Sequence, residues 1–96
     1  MPEMTFTTRW PDGGELVSYS PSLVVHDHLE VGERYAVADF LARSRTALGT
    51  ASERVRARYG VPCSRAAASL AVIEARAAGV AGEVEVTALR PAREAR

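Results

Sequence analysis

"VADFLARSRTALGTASERVRARYG", Val37 to Gly60, is the stretch on which the fold turns. Val37, Leu41, Ser44, Leu48, Ala51, Val55 and Tyr59 recur at intervals of three and four, with Phe40 and Ala47 beside them, the spacing of one face of an amphipathic helix. Thr50 and Glu53 form a capping-box pattern that would start a second helix after Gly49. The apolar stripe nevertheless keeps its phase through Gly49, so one long helix is expected, bent there if anywhere. Gly60 stops it, and Pro62 cannot continue it.

Outward from this helix the pattern changes on both sides. Downstream, Ser64 is expected to cap a second helix whose face is Ala66, Leu70, Ile73 and Ala77, ended by Gly79. Alanine on that face lets two helix backbones approach closely, which predicts an antiparallel hairpin with Cys63 turned inward at the corner. "EVEVTAL" then alternates Val84, Val86 and Ala88 against Glu83, Glu85 and Thr87, a strand with one wet face. Upstream, "MTFTTRW" alternates Met4, Phe6, Thr8 and Trp10 against Thr5, Thr7 and Arg9. "PDGG" supplies a turn, and "ELVSYS" resumes an extended run, giving a β-hairpin. "SPSLVVHDHLE" predicts a short helix capped by Ser20, with Pro21 first. The expected fold is therefore α+β: a three-stranded antiparallel sheet packed on a helical hairpin, in the order ββ(α)ααβ.

At 96 residues the chain makes one domain, expected over residues 1–89. The segment 90–96, "RPAREAR", has a helix-breaking proline and few apolar positions, so it is expected to fray. Twelve acidic and twelve basic residues cancel, which removes any global field toward nucleic acid or an anionic membrane. All the basic residues are arginine, a habit of GC-rich genomes and not a mechanism. No run approaches the roughly 20 apolar residues that cross a bilayer, and the opening lacks a leader pattern. With a lone cysteine, a cytoplasmic location is expected.

The candidate site residues are few. At about 100° per residue, Arg43 and Arg54 flank one side of the helical stripe, and Arg45 and Arg56 the other. Their aliphatic stems can cover the core edge while the guanidinium groups pair with Asp39, Glu53 or Glu74. A partner-protein surface is the next reading, since arginine is enriched at hot spots. A nucleic-acid ridge is disfavoured, because interleaved stacking aromatics are missing and only Tyr59 lies near. Trp10 and Tyr19 are expected where the sheet is left uncovered and are counted as binding residues. Uncovered sheet edges favour a homodimer.

Cys63 is the candidate nucleophile: unpaired N–H groups at a helix start attract negative charge, and Arg65 adds to the potential. The competing reading is a small apolar filler of the helix corner. The histidines of "VVHDHLE", His26 and His28, would share a face on a strand but diverge by about 200° on a helix. No second ligand pair completes a metal site, and no glycine-rich loop cradles a phosphate. No cofactor is expected.

Together "RWPDGGELVSYSPSLVV", "ADFLARSRTALGTASERVRARYG" and "CSRA" resemble a family of short bacterial nitrogen-starvation response proteins, over roughly residues 1–75. The resemblance implies genes encoded beside a nitrilase, a radical SAM protein, an acetyltransferase and a flavoprotein. It implies a role in that pathway, with no catalytic residue to carry over, and His26 and His28 lie outside the shared motif. The reading is a non-catalytic accessory or binding protein acting through protein or small-ligand contact, with a partner from the same gene cluster. The alternatives are a small enzyme using Cys63 and a nucleic-acid-binding regulator using the helix arginines.

Overall fold

A computed structural model describes residues 2–93. The element order is β1 (Met4–Arg9), β2 (Glu15–Ser20), a 3-10 helix (Leu23–Asp27), β3 (Arg34–Ala36), α1 (Val37–Tyr59), α2 (Ser64–Ala77) and β4 (Glu83–Arg90). The sheet is antiparallel throughout and ordered β2-β1-β4-β3, so the last strand lies between the first and the third.

The helix expectation holds over its whole length: α1 is one helix of 23 residues that runs through Gly49. Gly60 ends it in the left-handed region at φ 88° and donates its amide to the Arg56 carbonyl, 2.8 Å. The hairpin turn also forms as its residues require. The Gly14 amide donates to Asp12 Oδ1 at 2.8 Å, and Gly13 takes φ 86°.

The fourth strand corrects the three-stranded expectation. Arg34–Ala36 pairs with Glu83–Glu85, and around it the Gly32 amide donates to the Val86 carbonyl while the Val86 amide donates to that of Glu33. Three residues with two exposed carry no readable alternation, so only the long-range pairing reveals this strand. A register shift between Thr7 and Thr8 makes Thr87 the extra residue of a β-bulge. Beyond it the inward face changes phase, and Leu89 is buried where Ala88 was expected.

Both helix caps differ from expectation. Ser22 caps the 3-10 helix, its hydroxyl accepting from the Val24 amide, while Ser20 Oγ donates to the Ser22 carbonyl. Cys63 occupies the N-cap of α2 without a side-chain bond, and Ser64 is already its first residue.

Both helices pack on one face of the sheet, and Arg45 near the start of α1 reaches Glu74 near the end of α2, as an antiparallel pair requires. Phe6, Phe40, Leu48 and Ile73 fill the layer between, each buried side chain contributing about 1.5–3 kcal/mol. Trp10 belongs to this core, corrected from the uncovered face. It is 3% exposed, meets the Phe40 ring edge-on at 5.6 Å, and donates from Nε1 to Thr8 Oγ1 at 3.0 Å. The segment expected to fray is tied down in part: Arg90 pairs with Thr5, while Pro91 and Arg93 bond to His26. Residues 94–96 lie outside the described residues.

Two glycines of one helix should respond oppositely to substitution. At Gly49 an added Cβ meets nothing within 4 Å, so Gly49→Ala should raise stability by about 0.5–1 kcal/mol. Gly60→Val forces a β-branched residue into the left-handed region and should cost about 1–3 kcal/mol. Thermal denaturation of both variants checks the pair, and a loss at Gly49 would mean that α1 needs its glycine for a bend.

Candidate functional site

The helix arginines divide by what they touch. Arg43 pairs with Asp39 at 3.0 Å, Arg45 with Glu74 at 2.8 Å and Arg56 with Glu53 at 2.8 Å. Those are the three carboxylates expected from the sequence. Arg43 also donates to the His28 carbonyl at 2.9 Å and lies 4.6 Å from the centre of the Tyr35 ring, so it holds the loop before β3 against α1. The Arg56 hydrogen bond, and then its charge, hold the Glu53 carboxyl below its ordinary range. Arg54 stands apart, since its NH1 donates to the neutral Ser22 hydroxyl at 3.0 Å.

Tyr19 is the centre of a cleft that sequence reasoning did not assemble. It lies on the edge strand β2, opposite Thr5, and its hydroxyl donates to Glu3 Oε2 at 2.9 Å. The Arg65 guanidinium from α2 stacks over its ring at 3.7 Å. The Tyr19 amide, pointing off the open edge of the sheet, donates to Ser69 Oγ at 3.3 Å. Val17 and Val72 flank this pair at 64% and 51% exposure, around a cleft of about 290 Å³. Alternation along an antiparallel ladder turns the Val17 amide to the same edge. Ser69 and Val72 lie outside the Ala66–Leu70–Ile73–Ala77 stripe of α2, and only the path of α2 along β2 reveals them.

Cys63 is half-buried and packs against the core at the start of α2. His26 and His28 fall on and just after the 3-10 helix, not on a strand. His26 is 8% exposed; its Nε2 donates to the Pro91 carbonyl at 2.9 Å, and its own carbonyl accepts from Arg93. Among the described residues, no group of three or more His, Cys, Asp and Glu could hold a metal, and no helix is long and apolar enough to cross a membrane.

A second groove, of about 570 Å³, opens between the 3-10 helix, Arg54 of α1 and residues 91–93. Its far wall is the segment expected to fray, so nothing in the local sequence signals it.

Residues 5–90 match the family model of the nitrogen starvation-induced protein NitG. The chain belongs to that family. The match takes in nearly all of β1, both helices and the whole of β4, so it reaches past the motifs that end near residue 75. No curated protein and no solved structure matches the chain.

Tyr19 gives the cleft a pH signature. Burial first, then the bond to Glu3 and that carboxylate's charge, push its phenol above the ordinary range against the opposing Arg65. The folded value lies above the unfolded one, so the group's stabilisation is complete below about pH 10 and is lost as pH rises further. Ultraviolet titration should show one of the three tyrosines ionising late. Tyr19→Phe should remove that late phase; its survival would place the raised value elsewhere.

Proposed function

We propose that this member of the NitG family is a non-catalytic accessory protein of a nitrogen-starvation pathway, acting by contact with a protein encoded in the same gene cluster. The observation that carries the reading is the cleft between the β2 edge and α2. It sets two exposed valines beside a stacked tyrosine and arginine, and tyrosine and arginine are the residue types enriched at binding hot spots. An open sheet edge adds backbone groups that a partner strand can pair with. Because Ser69 already takes the Tyr19 amide, such a strand would pair with β2 on the Val17 side of it.

The two alternatives gain less support. Arg43, Arg45 and Arg56 are already matched by carboxylates, so a phosphate backbone would have to displace them. Cys63 lies at a packed corner, which favours the filler reading over the nucleophile. When no other partner is present, the same edge is available to a second copy of the chain across a two-fold axis.

Co-expression with the nitrilase, radical SAM protein, acetyltransferase and flavoprotein of such a cluster tests the reading. One of them should co-elute with the chain on size exclusion. The double variant Val17→Lys, Val72→Glu, with an unchanged melting temperature, should elute alone. Light scattering of the isolated chain at high micromolar concentration should return a dimer mass that the same variant reduces to a monomer. Co-elution with none of the four, or undiminished co-elution of the variant, overturns the proposal.

A further inference from the structure

The groove between the 3-10 helix, α1 and residues 91–93 lies apart from the β2–α2 cleft, and its chemistry differs. We propose that it binds a small organic carboxylate with an apolar body. Its volume of about 570 Å³ suits a small molecule. Leu23 and Val24 of the 3-10 helix supply apolar lining. The charged groups come from three separate segments: Arg54 from α1, Arg93 from the end of the chain and Asp27 from the 3-10 helix.

Charge matching points to the ligand. Arg43, Arg45 and Arg56 each have a carboxylate within ion-pair distance. Among the described residues Arg54 and Arg93 have none. Arg54 donates to the Ser22 hydroxyl and Arg93 to the His26 carbonyl, both neutral oxygens. A guanidinium carries five N–H donors in a planar fork that fits a carboxylate in bidentate fashion. Both side chains therefore keep donors for a further acceptor in the groove they line. Asp27 lines the same groove without reaching either guanidinium, so two positive groups and one negative one face the ligand. The net charge of these three groups is one positive, which a monoanion neutralises and a phosphate dianion would leave with an excess negative charge in the groove.

The far wall is fixed in place, which lowers the cost of ordering it on binding. The Pro91 carbonyl can only accept, so His26 Nε2 donates to it, and the His26 carbonyl in turn receives Arg93. One buried residue thus holds the segment at two points. Among the described residues, His26 Nδ1 is buried without a partner.

Nitrogen-15 NMR titration of the full chain tests this with 4-methylpentanoate, its neutral amide 4-methylpentanamide, and inorganic phosphate. The carboxylate should shift the amides of Leu23–Asp27 and of Ala92 and Arg93 saturably. The neutral amide and phosphate should bind at least about tenfold more weakly, since the discrimination rests on charge-assisted bonds. Arg54→Met, with an unchanged melting temperature, should weaken the carboxylate by about tenfold; should that variant fail to fold, Arg93→Met should do the same from the opposite wall. Equal binding of the amide, tighter binding of phosphate, undiminished affinity in the folded arginine variant, or no saturable shift by about 10 mM carboxylate overturns the proposal.

Discussion

The pairing of β4 between β1 and β3 is the constraint on which the rest of the structure depends. Before β4 joins, β1 and β2 form an isolated hairpin, which is marginal in water. β3 has no strand partner at all, since Arg34–Ala36 pairs only with Glu83–Glu85. β4 also delivers Val84, Val86 and Leu89 to the layer that Phe40, Leu48 and Ile73 fill from the helices. The sheet is thus completed by residues some 80 positions apart in sequence, such as Thr7 and Thr87. Contacts of that separation must first overcome the entropy of closing the loop between them. The long helix α1 and the shorter α2 occupy that loop and shorten its effective length.

The bulge at Thr87 links this pairing to the second groove. By changing phase there, β4 keeps Leu89 in the core opposite Phe6 and carries the chain out past Arg90 toward the 3-10 helix. Residues 91–93 then reach His26 and form one wall of the second groove. The other edge of the sheet is set by the same stacking order. With β4 and β3 on one side of β1, β2 is left as an edge, and α2 runs along it closely enough for Ser69 to take the Tyr19 amide. The strand order thus places an open edge and a built groove at two separate positions on the domain.

Much of this was legible in the sequence, and the parts that were not share a cause. α1, its stop at Gly60, the "PDGG" turn and strands β1, β2 and β4 follow from apolar spacing and turn chemistry that act within a few residues. The arginine partners Asp39, Glu53 and Glu74 were legible because helix geometry fixes which side chains are neighbours, and Glu74 followed from the hairpin. β3 was not, because three residues carry no period. Trp10 was placed wrongly because alternation along β1 says which residues share a face, but not how far the helices cover it. Ser20 and Ser64 are plausible caps, yet Ser22 and Cys63 stand at the N-caps, a difference of one or two residues that local capping patterns do not resolve. Of the candidate site residues, Tyr19 is half-buried on the β2 edge, and Arg65, Ser69 and Val72 join it only through the path of α2. The second groove was invisible because a polar, proline-containing tail gives no local reason to dock; His26 supplies that reason from 65 residues away.

Hydrogen exchange by NMR tests most directly whether β4 insertion holds the structure together. The account predicts that amides of β1 and β4 around Phe6, Thr7 and Val86 exchange slowest, at the rate of global unfolding, and that Gly32 and Val86, bonded across the β3 junction, belong to the same set. The Val17 amide on the open edge should exchange far faster. Amides of α1 and α2 that keep their protection while those of β1 and β4 exchange freely would contradict it, since the helical hairpin would then stand without the sheet.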